Sequence, residues 1–481
     1  MWKRSTDWWE VIEMRSEFLL TAAVTITLMT ASCGAGGPVE RGGAEAGVQK
    51  FAVSLQGRDV GYMTVSVEPL PSGSLLVSQS TEWSMRLMGE ERDVSMDSEA
   101  LTDSTLNLRR MEFRLSDGSA EIEARTVRGD GYLEHTIVSA GREATTRREF
   151  QGDYMPAFLD LAVASMDWEE GQVRSFPAFD PSSGSVSEAE VTCGGSVRAD
   201  LLGDSLTAAS LTVRHMGMVT EMLVHDGQII REEESGYGML MTRVPPGQGG
   251  EVSVDADLYD LYAVSSTPID NPRLPGTRRF ALEGDIDWSR FQLNYPPLQT
   301  FEDGVVTVTS RQPDTSVAFP VDAPELAEYL AAEPMVQSDD PAIVRLADSL
   351  TAGADDAFEA ATAIGEYVDL AVVNSATVSL PSAVEVLESR RGDCNEHTVL
   401  FVALARAAGI PARTCAGIVY LRRSFGYHAW PMVWVGEWVA IDPTLQQTVA
   451  DATHIILAMG DLEAQYVIAQ AMGRLSVREV R

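Results

Sequence analysis

Apolar and polar residues alternate along the middle of the chain, from Phe51 to about Val244. Stretches such as YMTVSVEPL and EMLVHDGQIIREEES follow this alternation, and Asp-Gly and Ser-Gly pairs separate them. A period of two places successive side chains on opposite faces of a strand, and such pairs are typical of tight turns. The pattern predicts an antiparallel, curved β-sheet domain over residues 50–245, with one helical interruption at Met155–Met166.

The composition and the period change after this region. Residues 246–276 are rich in Pro, Gly and Asp, which predicts a linker. Beyond it, Asp339–Leu350 and Asp355–Val368 have helical spacing and acidic first turns that suit the helix dipole. Residues 277–481 are therefore predicted to form a second domain, and the chain as a whole is predicted to be an α+β protein.

The N-terminus contains a short apolar run, Phe18–Met29, which is shorter than the roughly 20 residues that a membrane-spanning helix needs. Small residues ending in Cys33 follow it. This order resembles a bacterial lipoprotein signal, which implies a signal peptide over residues 1–33, lipidation of Cys33 and a flexible Gly/Ala-rich linker over 34–49. We expect an extracytoplasmic lipoprotein, anchored to a membrane in the periplasm or at the cell surface. An ordinary cleaved signal peptide and an uncleaved anchor are the alternatives.

The formal net charge of −35 argues against nucleic acid as a partner, because its phosphates would be repelled. The six histidines are scattered without the paired spacing of a metal site. The sequence contains neither a phosphate-binding loop nor a dinucleotide fingerprint, and no convincing calcium loop. We therefore expect no metal and no cofactor, and the sequence does not indicate an oligomeric state.

The stretch GDCNEHTVLFVALARAAGIP places a cysteine at the start of a predicted buried helix. Asp393 has the character of an N-cap, and Glu396 three residues later completes a capping-box pattern. Gly409 and Pro411 are expected to end the helix. Cys394 then occupies the first helical position, where unpaired backbone N–H groups and the helix dipole favour a thiolate and could stabilise an oxyanion.

A nucleophilic thiol needs a base, and His428 and Asp442 follow in the segment YHAWPMVWVGEWVAIDPT. This segment predicts two strands around a Gly-containing turn, so a hairpin would hold the base and its orienting carboxylate, as in a Cys–His–Asp triad. His397 is a rival base because positions i and i+3 are neighbours on a helix. It shares the rigid helix with Cys394 and has no evident carboxylate partner, so we interpret it as structural. Taken alone, Cys394 could also be a buried structural thiol, and Asp442 part of an Asp-Pro turn.

The hairpin presents a parity problem. A two-residue turn at Gly436-Glu437 would put His428 and Asp442 on opposite faces, and one extra residue would restore a common face. Proline cannot donate to a ladder and favours bulges or edges, so we predict a bulge or a break in pairing between Ala429 and Met432, centred on Pro431. A loop longer than two residues around Gly436 is the alternative. Nδ1 of His428 is then expected to contact Asp442, with Nε2 facing the thiol.

The motifs GDCNEH, ALARAAGIPAR, YHAW and VGEWVAIDPT, in this order, resemble the transglutaminase-like superfamily, whose core is shared with papain-type cysteine proteases. The resemblance covers roughly Ala342–Thr444 and none of the predicted β domain. It implies that Cys394 is the nucleophile, His428 the base and Asp442 the orienting acid, within a papain-like α+β core.

This resemblance implies a cell-envelope cysteine enzyme that acts on amide or peptide bonds through a thioester, with a protein or peptide of the envelope as its substrate. Water would give a protease or amidase, and an amine would give a transglutaminase. We favour hydrolysis, because keeping water from a thioester needs additional architecture. The alternative is a non-catalytic envelope binding protein with a vestigial triad, whose β domain binds lipid, glycan or protein.

Overall fold

The computed structural model describes residues 47–480 except 88–89, 117–120, 140–141, 217, 237, 246, 249–262, 376–381, 422, 461–466 and 469. The predicted signal peptide, Cys33 and most of the predicted 34–49 linker lie outside the described residues. No helix within the described part of the chain is long and apolar enough to cross a membrane.

Among the described residues, fourteen antiparallel strands form one large sheet. The strands are β1 (Gly47–Leu55), β2 (Arg58–Pro69), β3 (Leu75–Leu87), β4 (Glu90–Thr102), β5 (Leu108–Ser116), β6 (Glu121–Arg128), β7 (Tyr132–Ser139), β8 (Arg142–Glu149), β9 (Val173–Phe179), β10 (Val186–Leu201), β11 (Asp204–His215), β12 (Met218–His225), β13 (Gln228–Glu234) and β14 (Met239–Val244). Their order is β8-β7-β6-β5-β4-β3-β2-β1-β14-β13-β12-β11-β10-β9. Two meanders therefore meet where the first strand pairs with the last, in the register Lys50↔Val244.

The two-residue period explains these strands. In β12, for example, Met218, Thr220, Met222 and Val224 are buried while the residues between them are more exposed. The predicted helical interruption is present but shorter: α1 spans Leu159–Ala164, and all six of its residues are buried. The residues before α1 form backbone hydrogen bonds with the loop that precedes β5 and with the first residue of β5. The helix therefore cannot start earlier.

Among the described residues of the C-terminal part, a five-stranded sheet, a four-stranded sheet and a two-stranded pair combine with several helices. A five-stranded sheet has the order β15-β25-β16-β18-β17, a four-stranded sheet has the order β23-β22-β21-β24, and β19 pairs with β20. The strands are β15 (Ser265–Ser266), β16 (Gly276–Glu283), β17 (Gln299–Glu302), β18 (Val305–Ser310), β19 (Val373–Asn374), β20 (Arg391–Gly392), β21 (Ala412–Leu421), β22 (Ser424–Trp434), β23 (Trp438–Ala440), β24 (Ile455–Met459) and β25 (Ser476–Glu479). The helices are α2 (Pro341–Thr351), α3 (Ala357–Ala371), α4 (Ala383–Ser389) and α5 (Cys394–Ala407), and two 3₁₀ helices span Trp288–Arg290 and Pro324–Leu330. The fold is α+β, with the large antiparallel sheet in the N-terminal part.

The described parts of the two predicted linkers contain strand-forming and buried residues. β1 begins at Gly47, inside the predicted 34–49 linker. Within residues 263–276, Val264 is buried and forms a β-bridge with Phe425, and Ile269 donates its N–H to the Tyr420 hydroxyl. This segment keeps its position because its apolar residues contact the C-terminal sheets. Composition alone cannot reveal such contacts.

Helix α5 lies at the centre of the C-terminal part. Its buried side chains pack on α2, α3 and α4 on one side and on β21 and β22 on the other. Because α5 is apolar on nearly every side, it is stable only where other elements surround it. Helix α5 thereby packs against β22, the strand that carries His428.

Candidate active site

The start of α5 is defined by local interactions. Asp393 is the N-cap: its carboxylate accepts the N–H of Asn395 at 2.8 Å, and its own N–H donates to Glu396 Oε2 at 2.8 Å. Gly392 has φ +155°, and a Cβ at this position would lie 2.1 Å from the Cβ of Glu396, so no larger residue fits. The helix begins at Cys394, as the capping pattern predicts.

Cys394 is completely buried, with 0% of its surface exposed. Its position at the first turn of α5 places the thiol at the positive end of the helix dipole, which favours a thiolate. None of the three described cysteines, Cys193, Cys394 and Cys415, is in a disulfide. Substrate can reach Cys394 only after the residues that cover it have moved.

Cys415, on β21, is a different kind of thiol. Burial raises its pKa to about 12, so it stays protonated throughout the neutral range. It belongs to a small buried cluster with Trp430, Met432 and Ile456.

The hairpin that carries His428 solves its parity problem through its loop. Trp434 pairs with Trp438, so the loop has three residues, 435–437, and not the predicted two. No register shift occurs at Pro431 in the ladder with β21 or among the pairs with β23, so the predicted bulge is wrong; the pairs with β23 end at Met432, next to the predicted break. The Pro431 carbonyl accepts the N–H of Ile441 at 3.0 Å, so its backbone faces the β23 side. The missing N–H of the proline therefore removes no bond to β21, and no bulge is needed.

His428 and Asp442 are in direct contact. His428 Nε2 lies 2.8 Å from Asp442 Oδ2, and both side chains are buried. The nitrogen that was predicted for this contact, Nδ1, is the wrong one. Asp442 contacts Nε2, so Nδ1 of His428 is the ring nitrogen that remains available to accept a proton. Helix α5 packs directly on the strand that carries His428.

Asp442 accepts three hydrogen bonds. Besides His428, its Oδ2 accepts Nε2 of His454 at 2.9 Å, and its Oδ1 accepts the N–H of Leu445 at 2.9 Å. Burial by itself raises the pKa of Asp442, but the charges and hydrogen bonds of the two histidines outweigh burial and hold the pKa well below its usual range. Asp442 is therefore an ionised carboxylate bound by two imidazoles.

His454 extends this network away from His428. Its Nδ1 lies 3.1 Å from the carbonyl oxygen of Asp451 and 3.4 Å from Asp451 Oδ1. Asp451 Oδ2 in turn accepts Arg273 Nη1 at 2.5 Å. Burial lowers the pKa of His454, but Asp451 and Asp442 more than compensate and raise it to about 9. Burial by itself raises the pKa of Asp451, but His454 and Arg273 hold that pKa below its usual range.

The sequence analysis missed His454. The signal was weak: Asp451-Ala452-Thr453 is an Asx-turn pattern directly before an apolar strand, and the residue at the junction is a histidine. The structure contains this turn, with Asp451 Oδ1 accepting the N–H of Thr453 at 2.7 Å.

His397, the rival base, is oriented by the backbone. Its Nδ1 lies 2.5 Å from the Asp393 carbonyl oxygen, and a second hydrogen bond involves the backbone of Val372. Burial lowers the pKa of His397 despite these bonds. The ring has no hydrogen-bonded carboxylate comparable to the one that binds His428, which agrees with a structural interpretation.

The atoms of His428, Asp442 and His454 that could bind a metal ion lie within 4.8 Å of one another. Hydrogen bonds account for this proximity, because each imidazole directs Nε2 at the same carboxylate oxygen. We assign no metal ligand in this group.

The fold and the site together define an α+β protein in which a helix that begins at a cysteine packs on a hairpin with a histidine–aspartate pair. Residues 344–443 match the family model of the transglutaminase-like superfamily (Transglut_core), so this segment is a transglutaminase-like domain. The comparison with curated proteins gives no match.

Several solved structures are similar to parts of the chain. A candidate cysteine protease from Cytophaga hutchinsonii has 19% identity and a TM-score of 0.30, over 46% of this chain and 84% of that one. The periplasmic domain of TgpA from Pseudomonas aeruginosa, bound to ethylmercury, has 21% identity and a TM-score of 0.23, over 38% and 70%. A candidate protease from Parabacteroides distasonis has 12% identity and a TM-score of 0.18, over 69% and 68%. With identities and TM-scores this low, no statement about the chemistry of this chain rests on these structures.

Proposed function

We propose that this protein is a cysteine enzyme that attacks amide or peptide carbonyls, with Cys394 as nucleophile, His428 as base and Asp442 as orienting carboxylate. One observation carries the proposal: the hydrogen bond between His428 and Asp442, on a hairpin packed against the helix that begins at Cys394. A base held by a carboxylate next to a thiol at a helix start is the arrangement that activates a thiol nucleophile.

The proposed reaction has two stages. The thiol proton of Cys394 passes to Nδ1 of His428, while sulfur bonds to the carbonyl carbon and the carbonyl electrons move to oxygen. The positive end of the α5 dipole stabilises that oxyanion. The C–N bond then breaks, the amine leaves with the proton from His428, and a thioester remains on Cys394. Asp442 keeps the ring oriented and stabilises the imidazolium without reacting.

The second stage decides between hydrolysis and transfer. Water deprotonated by His428 would release a carboxylic acid, and an amine would form a new amide. We favour hydrolysis: the site must open for substrate to reach the buried thiol, and an open site admits water to the thioester.

The proposed setting is the cell envelope. It rests on the apolar run and Cys33, which would place the enzyme at a membrane through a lipid anchor. The proposed substrates are accordingly proteins or peptides of the envelope.

One observation favours a second candidate. The complete burial of Cys394 suits a non-catalytic binding protein with a vestigial triad, in which the large sheet would bind lipid, glycan or protein.

Mass spectrometry of envelope peptides incubated with the full chain tests the first proposal. New carboxylates indicate hydrolysis, and peptide–amine conjugates indicate transfer. The activity should disappear in Cys394→Ala and persist in Cys193→Ala, a matched change of a buried cysteine in the large sheet. No thioester and no product in the wild-type protein, across candidate peptides and amines, would favour the binding protein instead.

A further inference from the structure

Two imidazoles share one oxygen of Asp442. His454 immediately precedes β24, its side chain is 2% exposed, and its Nε2 lies 2.9 Å from Asp442 Oδ2. His428 contacts the same oxygen at 2.8 Å, and the two ring centroids are 6.0 Å apart. The orienting carboxylate is thus held from two sides, by the proposed base and by a second ring that does not belong to the triad.

Both nitrogens of His454 face hydrogen-bond acceptors. Nε2 faces the Asp442 carboxylate, and Nδ1 faces the Asp451 carbonyl oxygen at 3.1 Å, an atom that can only accept. A neutral imidazole has one N–H and could satisfy only one of these contacts. The geometry is therefore satisfied when both nitrogens of His454 carry protons.

The surrounding charges favour the same state. Carboxylates contact His454 on both sides, whereas Arg273 reaches it only through Asp451. Two rings also lie close to it: His428, and the uncharged ring of Trp430 at 5.0 Å between centroids. The charges of Asp442 and His428 influence the pKa of His397, on α5, but His397 has its own backbone partners.

We propose that His454 is a positioning residue: a doubly protonated imidazolium that holds Asp442 in place and lowers the affinity of His428 for its second proton. This role rests on the proposed function, in which His428 is the base. A carboxylate without His454 would attract the His428 proton more strongly, so His428 would hold it too tightly to return it to the leaving amine. The cation behind Asp442 offsets part of this attraction and so sets the pH range over which His428 exchanges protons.

The first experiment measures protonation and requires no activity. In full-length protein with ¹⁵N-labelled histidine, NMR at about pH 7.5 should show both nitrogens of His454 protonated, because its pKa is raised to about 9. The signal is assigned by its loss in His454→Gln. Asp451→Asn removes one of the two carboxylates and should lower the pH at which His454 loses its proton. A neutral His454 ring at this pH would overturn the proposal.

The second experiment measures the effect on His428. In a Cys394→Ala background, where no thiol exchanges protons with the ring, the protonation midpoint of His428 should rise by about one to two pH units when His454→Gln is added. A unit charge about 6 Å away at an effective dielectric of roughly 20–40 has this effect. His215→Gln, a matched change at a buried histidine on β11, should leave the midpoint unchanged. An unchanged midpoint in folded His454→Gln would mean that His454 is merely structural and would overturn the proposal.

His454→Asn replaces His454→Gln if the latter does not fold, and the same rise in the His428 midpoint is expected because the cation is again removed. Turnover by the protein that retains Cys394 tests the proposed function separately. A protein without turnover in which the His428 midpoint still moves would refute the catalytic role of the site while leaving the charge effect of His454 established.

Discussion

Raising the pH should weaken the protein in part through one buried histidine, His454. Its pKa is 6.5 in the unfolded chain and about 9 in the folded protein. Because the folded value is the higher one, the stabilisation is fully present below pH 6.5 and is lost as the pH rises through about 9. This difference in pKa corresponds to roughly 3 kcal/mol of folding free energy. The pKa values of Asp442 and Asp451 are lowered, so both are ionised throughout this window and contribute no pH dependence there.

The assay compares wild type with His454→Gln by urea denaturation, followed by tryptophan fluorescence, at pH 6.5 and at about pH 9.5. Cysteines that ionise in the unfolded chain also reduce stability at high pH, and taking the difference between the two proteins removes their contribution. Wild type should lose roughly 3 kcal/mol more than the variant, or about 1 M or more in the urea midpoint. His215→Gln is the control: burial lowers the pKa of His215 to about 4, so this residue contributes little above pH 6.5. Equal losses in wild type and His454→Gln would refute the claim that His454 is charged in the folded protein.

Three further predictions follow from the site and the N-terminus. Cys394 should be alkylated near pH 6 much faster than the other described cysteines, since a thiol at a helix start beside an imidazole has a lowered pKa; the three are almost equally buried, so uniform labelling that rises only near pH 8.5 would contradict this. His428→Ala should abolish thioester formation, whereas Asp442→Asn should leave a residual rate, lower by about 10⁴-fold in single-turnover assays; a larger loss in folded His397→Ala would mean that the base is misassigned. Cys33→Ser should prevent lipid labelling and release the chain from membranes with its C-terminal part folded, and unchanged membrane retention in cell fractionation would favour an uncleaved anchor.

The sequence alone was enough for features that depend on neighbours along the chain. The alternation between Phe51 and Val244 predicted the large antiparallel sheet, because a period of two is a property of the strand itself. The capping box between Asp393 and Glu396 spans three residues, so it placed the start of α5 at Cys394 correctly. The separation of Cys394, His428 and Asp442 predicted which side chains would meet, and His428 and Asp442 are in contact.

Tertiary structure decided the features that depend on distant contacts. The hairpin could reach the correct parity through a bulge or a longer loop, and only the packed strands show that the loop at 435–437 was used. The nitrogen of His428 that faces Asp442 depends on how the ring is oriented in the folded chain, where it stacks on Trp430. His454 reaches Asp442 because β24 pairs with β21, and no local pattern encodes that pairing. The positive charge of His454 has the same cause, because two carboxylates contact the buried ring only in the folded chain. Their effect on the pKa of His454 outweighs burial, which would otherwise keep the ring neutral.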